Sequence, residues 1–242
     1  MTDTFILLFL WFVNKGKMNY GSSAINTIAR DDIFSFYETY ITNGLKMLKS
    51  TKELLLVKGV WQRSPYIPVP KEVEFVKKER FLQTWFGDQR PLSGIEIGSL
   101  FYNVVTNSIG VTLMNGFLQV TEKGDIHDFI KRGKAIAEKH IEVFTQLLKK
   151  DDLLPAASWN GGVTASKVSP FSEKLILSLI SLLNNQGISN YGEAISNSFR
   201  KDLASDFARL AAEVGQYAEE GSKLLIHYGW MEQPPLGKGK VN

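Results

Sequence analysis

NYGSSAINTIARDD (residues 19–32) and NYGEAISNSFRKD (residues 190–202) lie far apart in a chain of 242 residues, and they read alike. The offset of 171 that aligns them also places Asp31 on Asp202, with a slip of one residue further along, before Gly59. Self-similarity at one long spacing is typical of a duplicated structural unit. We therefore predict that one unit occurs twice, at the start of the chain and near its end.

The first copy contains the apolar run FILLFLWFV (residues 5–13), which aligns with ILSLISLLN (residues 176–184) in the second copy. A membrane-spanning helix needs about 20 apolar residues, and a secretion signal needs a basic start and a small-residue cleavage site. The run is too short for the first, and it is preceded by the acidic Asp3. We predict a core helix and no membrane span.

Each copy of the unit has the pattern of two helices. In the second copy, apolar or small residues recur every three or four positions, which is typical of helices that face a bundle core. The first helix shows this pattern at Ile176, Ile180, Leu183, Gly187, Asn190 and Ala194, and the second at Leu203, Phe207, Leu210, Val214, Tyr217, Gly221 and Leu224. We expect Ser169 and Pro170 to begin the first helix and Asp202 to cap the second.

Two more helices are predicted between the copies. Ser93 and Glu96 have capping-box spacing, in which each side chain bonds a free backbone N–H at a helix start. A loop of residues 151–169 follows the second of these helices and is long enough to run the length of a bundle. Such a crossover is typical of ferritin-like bundles. The predicted fold class is all-α: a ferritin-like four-helix bundle with a long crossover loop, plus an N-terminal two-helix half-bundle.

The predicted domain organisation follows from these helices. We expect residues 1–58 to form a helical hairpin, the second half of a first bundle whose first two helices are missing. Residues 59–92 are expected to form a linker that begins rich in proline. Residues 93–229 are expected to form a complete four-helix bundle, and residues 230–242 a flexible tail.

The composition argues against several classes of protein function. The net charge is +3, but Lys and Arg alternate with Asp and Glu along the chain, so no basic stripe typical of nucleic-acid binding is readable. The sequence has no cysteine, which excludes disulfides, thiolate chemistry and cysteine-ligated metals. We expect a cytoplasmic protein that does not bind nucleic acid.

Several long stretches resemble one bacterial family. They are PYIPVPKEVEFVKKERFL, RPLSGIEIGSLF, RGKAIAEKHIEVF, VSPFSEKL, NYGEAISNSFRKDLASDFARLAAEVGQYAEEG and GWMEQPP. They resemble the family known as domain of unknown function 3231, whose members come mostly from endospore-forming bacilli and carry two tandem ferritin-like bundles. The resemblance implies the fold and a link to sporulation or the spore, and it assigns no reaction. Against that pattern, this chain starts partway through the first bundle.

The histidine spacing argues against a di-iron enzyme. Such sites take a Glu from each of two helices and a Glu-x-x-His motif from each of the other two. The residues three positions before His127, His140 and His227 are Gly124, Ala137 and Leu224. We therefore predict no catalytic residue and no cofactor, and we do not expect an enzyme.

A polar layer around His140 is the candidate site. His140 and Asn107 lie at similar distances on either side of the Gly124 turn, so they are expected to face each other in an antiparallel pair. At the same height the other helices offer Glu213, Tyr217 and the stretch 184–190. Two interpretations stay open. We favour a polar layer that fixes helix register; the alternative is a site for a single divalent metal or a small ligand, with His140, Asn107 and Glu213 as weak candidates.

Glu96 is explained by the capping box alone, and it lies about 15 Å along the bundle from His140. In that interpretation Gln serves the cap as well as Glu. We therefore expect Glu96→Gln to be nearly silent and Ser93→Ala to cost about 1 kcal/mol.

The N-terminal hairpin leads to the prediction of a partner. Residues 1–58 carry large apolar side chains with no preceding helices to cover them: Phe5, Leu8, Phe9, Trp11, Phe12, Phe34, Phe36, Leu45 and Leu48. An exposed seam of this kind exceeds what monomers tolerate. We expect a homodimer through residues 1–58, with deletion of residues 1–60 leaving a monomeric bundle. The rival outcomes are a hairpin that folds back on its own bundle and a gene fragment that aggregates. The expected function is that of a non-enzymatic structural or interaction protein.

Overall fold

The computed structural model describes residues 1–82, 89–122 and 124–237, apart from the side chain of Asn160. This part of the chain is all-helical, with six α-helices and no strand. The helices are α1 (Asp3–Ile25), α2 (Asp31–Val57), α3 (Gly94–Val120), α4 (Asp125–Lys149), α5 (Glu173–Asn197) and α6 (Lys201–His227), with short 3-10 turns at Glu79–Phe81 and Asn160–Gly162. The predicted all-α class is confirmed.

Helices α3 to α6 pack as a four-helix bundle. Helix α3 pairs with α4 and with α5, and α6 pairs with α5 and with α4. Glu96, near the start of α3, accepts the backbone N–H of Phe199, just after the end of α5. Gln119, near the end of α3, donates to the backbone oxygen of Thr164, ahead of α5. Because α3 and α5 are antiparallel, α4 and α5 run the same way, and the loop between them crosses the length of the bundle.

The apolar core forms two clusters along the bundle axis. One includes Ile109, Ile130 and Ile180, and the other includes Leu100, Phe144 and Phe207. Helix α3 contributes to both clusters because it is the most apolar helix and packs against both α4 and α5. Its length and composition would also suit a membrane span, but 67% of its most apolar window is buried inside the protein. No other helix of the described chain passes that test.

Helix α1 is part of the same core. Phe5 and Phe12 of α1 are buried in one cluster with residues of α3, α4, α5 and α6. The backbone N–H of Thr2 donates to the oxygen of Gly162 in the crossover loop, at 2.8 Å. The expectation that nothing within the chain covers the α1 seam is therefore wrong. Its own bundle covers it, and deleting residues 1–60 would open the core.

Helix α2 packs mainly on α1. Gly44, Thr51 and Leu55 are buried against it, and a Cβ on Gly44 would contact Met18 at 3.1 Å. Large apolar side chains on the rest of α2 stay exposed, among them Phe36 and Met47. Helix α2 thus has the apolar pattern of a bundle helix but packs mainly on a single helix, α1.

The hairpins α1–α2 and α5–α6 share their end geometry at a spacing of 170 residues. Arg30 and Arg200 are the N-cap residues of α2 and α6, and each guanidinium holds the aspartate two positions on, Asp32 or Asp202. The one-residue slip therefore falls in the loop before α2, earlier than the sequence alignment placed it.

Two predicted boundaries of these helices need correction. Asp202 does not cap α6; the N-cap is Arg200, and Asp202 lies two residues later, in the first turn of the helix. Helix α5 starts at Glu173 with Ser172 as the cap, and Ser169 instead bonds the backbone of Phe171 within the preceding turn. Of the predicted linker 59–92 and tail 230–242, residues 83–88 and 238–242 lie outside the described residues.

Candidate functional site

The candidate polar layer takes one side chain from each of the four bundle helices. Asn107 of α3 donates from Nδ2 to Tyr191 Oη of α5 at 2.9 Å. Tyr191 Oη lies 2.8 Å from His140 Nδ1 of α4. His140 Nε2 lies 2.9 Å from Glu213 Oε2 of α6. The four groups form one continuous chain of hydrogen bonds across the bundle.

The chain of bonds fixes the tautomer of His140. Glu213 is a carboxylate and can only accept, so His140 carries its proton on Nε2 and donates it. His140 Nδ1 is then an acceptor, which receives the Tyr191 O–H. Tyr191 Oη in turn accepts from Asn107 Nδ2. Every donor along the line meets an acceptor, so the layer is satisfied with His140 neutral.

The electrostatics agree with this assignment. His140 is fully buried, and the loss of solvation lowers its pKa, with the Glu213 carboxylate offsetting only part of the effect. Partial burial alone raises the pKa of Glu213. The hydrogen bonds from Lys139 and His140 lower the pKa by more than burial raises it, so the net shift is downward. Burial raises the pKa of Tyr191 and keeps the phenol protonated. At neutral pH the layer is Tyr–OH, neutral imidazole and carboxylate.

The layer is a poor fit for a metal ion. Both ring nitrogens of His140 are engaged, one as donor and one as acceptor. Among the described residues, no group of three His, Cys, Asp or Glu side chains is placed to hold a metal. Of the weak candidates, His140, Asn107 and Glu213 do lie in one layer, but Asn107 reaches His140 only through Tyr191. The geometry is that of a polar layer that aligns four helices.

A small cavity of about 80 Å³ adjoins the layer. Asn184 and Asn190 line it, and the Nδ2 group of each has no hydrogen-bond partner in the described chain. The orientation of Asn190 is fixed because its Oδ1 accepts from Gln186 and from Lys15 of α1. The volume suits a few water molecules, which would satisfy these N–H groups.

Glu96 sits in a second, separate cluster that seals one end of the bundle. The capping box with Ser93 is confirmed, with Ser93 N–H donating to Glu96 Oε2 at 2.8 Å. The Arg90 guanidinium also donates to both carboxylate oxygens of Glu96, at 2.8 and 2.9 Å. The backbone N–H groups of Phe199 and Arg200 donate to Oε1. Glu96 thus joins the linker, the start of α3 and the start of α6.

The charge state of Glu96 follows from these partners. The carboxylate is buried, which alone raises its pKa, but the Arg90 guanidinium and the N–H groups of Ser93 and Arg200 outweigh burial. The net effect lowers the pKa of Glu96 to about 2. The expectation that Gln replaces Glu96 silently is therefore revised, because the side chain is a buried anion paired with a cation.

Sequence reasoning missed the residues that link each cluster. Tyr191 is the hub of the layer, yet the seam pattern singled out its neighbour Asn190. Arg90 and Arg200 lay outside every helix pattern, although Arg200 is 98% buried. Tyr217, considered for the layer, instead stacks on Phe129 with ring centres 4.2 Å apart. The Asn-Tyr-Gly repeat was the one signal that could have indicated Tyr191.

Fold and site together define an all-helical bundle protein with two buried polar clusters. A family model described as "Protein of unknown function (DUF3231)" matches residues 1–73 and 80–240. The chain belongs to this family, as the sequence resemblance predicted.

Two further comparisons add to the family match. No curated protein matches the sequence significantly. A solved structure of a "putative spore coat protein" from Bacillus halodurans C-125 is similar, with a TM-score of 0.56 and 20% identity. The similarity covers 62% of this chain and 98% of that one. At this identity the likeness concerns the fold.

Proposed function

We propose that this chain is a non-enzymatic structural protein that assembles through its N-terminal hairpin, first as a homodimer. The observation that carries the proposal is the broad apolar surface of α2, of which α1 covers only the middle. The internal repeat and the ferritin-like topology are part of the same proposal, because they explain which partner that surface lacks.

The uncovered surface of α2 forms two rows beside its buried strip. One row is spaced by three, eleven and seven residues, each close to a whole number of helical turns, and consists of Ile33, Phe36, Met47 and Leu54, all between 38% and 60% exposed. The other row consists of Phe34, Leu45 and Leu56. A surface helix of a monomer normally has one apolar stripe and a polar remainder. Two exposed rows indicate a second packing surface.

Helix α6 shows what such a row packs against. At the spacing of 170, Met47 corresponds to Tyr217, which α6 buries against Phe129 of α4. In the same way Ile33 corresponds to Leu203, which is fully buried. Two positions of the row that α2 exposes are therefore buried in α6, while the counterparts of Phe36 and Leu54, Asp206 and Leu224, are partly buried. The surface therefore suits another helical hairpin, packed as α3–α4 packs on α5–α6.

A hairpin from a second copy of the chain can cover this surface. In a dimer with two-fold symmetry, the α2 surface of one copy packs against the same surface of the other. Helix α2 has 27 residues and is about 40 Å long. The free face of α2 and the exposed side of α1, which carries Ile6 and Leu10, together present roughly 40 Å by 20 Å, which is near the 800 Å² per partner of a stable interface. The hairpin is large enough to hold a dimer.

Light scattering of the full chain at micromolar concentration tests the dimer. We expect twice the chain mass for wild type and a monomer for Met47→Glu combined with Leu54→Glu, because two charges cannot enter an apolar interface. The matched control is Leu154→Glu with Val168→Glu, exposed apolar residues of the crossover loop, which should stay dimeric. A well-behaved wild-type monomer would overturn the proposal.

The spore context is proposed from the family and from the spore coat name of the Bacillus halodurans protein. A cytoplasmic bundle that self-associates is a reasonable building block for a layered coat. Immunoblots of growing cells, sporulating cells and purified spores test this. Equal amounts in growing and sporulating cells, with none in spores, would contradict it.

The alternative function, binding of a metal or small ligand at the His140 layer, has one observation in its favour: the cavity with unpaired Asn184 and Asn190 amides. Metal analysis of protein purified without a tag decides between the two. Stoichiometric metal that is lost in His140→Ala would replace the structural interpretation.

A further inference from the structure

An aromatic groove lies on the outside of the bundle, away from the polar layer. Four parts of the chain build it: α1, α3, the segment after α2 and the crossover loop. Its volume is about 600 Å³, and its walls include Trp11, Trp61, Tyr102 and Trp159. Small-molecule sites in proteins are typically apolar, aromatic-lined clefts of about 300–1,000 Å³. The groove has the size and the lining of such a site.

The rings of the groove stand on edge against one another. Trp11 makes edge-on contacts with Trp61, at 5.6 Å between centres, and with Tyr102, at 5.9 Å. An edge-on contact covers a face of only one ring of each pair, so the ring that contributes its edge keeps its own faces for a planar ligand, which gains by stacking on them.

Two polar groups of the groove residues have no partner within the described chain. They are the Tyr102 hydroxyl and the Trp159 Nε1–H, both buried. Each such orphan group costs about 1–3 kcal/mol in a protein interior, and two of them on one groove call for an explanation. Both can donate a hydrogen bond, and both atoms lie beneath the groove surface, so a ligand with acceptor oxygens satisfies them when the two rings shift toward it on binding.

The groove walls are held by bonds that do not involve these groups. The Gln62 side-chain amide donates to the oxygen of Ala157 at 3.1 Å and accepts from its N–H at 2.9 Å. These two bonds tie the segment after α2 to the crossover loop. The loop is also bonded to α1 through Thr2 and Gly162. The site is therefore largely pre-formed, which lowers the entropic cost of binding.

The charge of the groove favours an anion because Arg63 lies on its wall. The Lys15 ammonium is 4.0 Å from the centre of the Tyr102 ring but is paired with Glu193 at 3.2 Å, so Arg63 is the cation that the groove presents. None of the described lining residues is acidic. We propose that this groove binds a planar aromatic molecule bearing a carboxylate or a similar oxyanion.

The probe is 2-naphthoate, with 2-naphthylmethanol as the uncharged match and cyclohexanecarboxylate as the non-aromatic match. Calorimetry on the full chain should give a Kd of about 1 mM or lower for 2-naphthoate. The alcohol should bind about threefold more weakly or worse, and the cyclohexane about tenfold more weakly. No measurable heat or ligand-observed NMR signal with 2-naphthoate would overturn the proposal.

Three variants locate the site. Trp61→Ala should weaken binding about tenfold, whereas Trp230→Ala, which removes a tryptophan stacked on Tyr228 elsewhere, should not. Tyr102→Phe removes only the orphan hydroxyl, so it should raise the melting temperature and weaken 2-naphthoate about fivefold. Unchanged affinity in both Trp61→Ala and Tyr102→Phe would mean general surface adsorption and would refute the groove. A loss confined to Trp61→Ala would refute the role of the hydroxyl.

Discussion

Glu96→Gln is the sharpest test of the buried ion pair at the end of the bundle. Glu96 is 1% exposed, and its pKa falls from 4.5 to about 2 on folding. At 1.36 kcal/mol per pH unit, and with an allowance for solvent at Arg90, the charged form contributes about 2–3 kcal/mol at pH 7. Gln cannot supply this, because its NH₂ group would face the Arg90 guanidinium or the N–H groups of Phe199 and Arg200.

The pH dependence distinguishes this account from a simple loss of packing. A carboxyl with a lowered pKa stabilises the fold above about pH 4.5, and the benefit fades as the pH falls toward 2. Urea unfolding followed by circular dichroism should therefore show a gap of about 2–3 kcal/mol at pH 7 that shrinks by roughly half at pH 3. Ser172→Ala, which removes the N-cap of α5 and does not contact Glu96, is the control and should cost about 1 kcal/mol at either pH. A Glu96→Gln gap that is independent of pH, or smaller than about 0.5 kcal/mol, would refute the ion-pair account.

Two further predictions concern the layer and the glycines beside it. His140→Ala should lower the unfolding free energy by about 1–3 kcal/mol, since it removes a fully buried side chain that bonds both Tyr191 and Glu213; urea unfolding that matches wild type would contradict the buried layer. Gly187→Ala should add about 0.5–1 kcal/mol, because the new methyl meets open space in a helix. Gly133→Ala should instead destabilise by about 1–3 kcal/mol, since its Cβ would lie 2.1 Å from the Tyr217 oxygen. Equal melting temperatures for these two glycine variants would show that the helices are spaced differently.

Periodicity was enough to find the helices and to place His140 in the core. Apolar spacing reports which face of a helix is buried, and it located Leu203, Phe207 and Leu210 correctly. Local motifs worked as well, since the capping box of Ser93 and Glu96 depends on residues three apart. These features depend on neighbours in the sequence, so a single chain is sufficient to read them.

Contacts between distant segments were not readable. Arg90 reaches Glu96 from a non-helical segment, and no pattern marks which carboxylate a linker arginine will find. Tyr191 falls one position beside the seam, and its long side chain reaches the layer from there. The coverage of Phe5 and Phe12 also depends on where α1 docks, which is a tertiary fact that helix periodicity cannot supply.

The layer that runs from Asn107 to Glu213 has a consequence for the order of folding. The hairpins α3–α4 and α5–α6 can each form from neighbouring segments, but neither contains the complete chain of bonds. A half-docked or slipped intermediate leaves His140 or Tyr191 buried without a partner, which raises its free energy. Misaligned states are therefore poorly populated, and the bundle is expected to close in one cooperative step. The same four side chains therefore disfavour wrong alignments of the two hairpins while the bundle assembles.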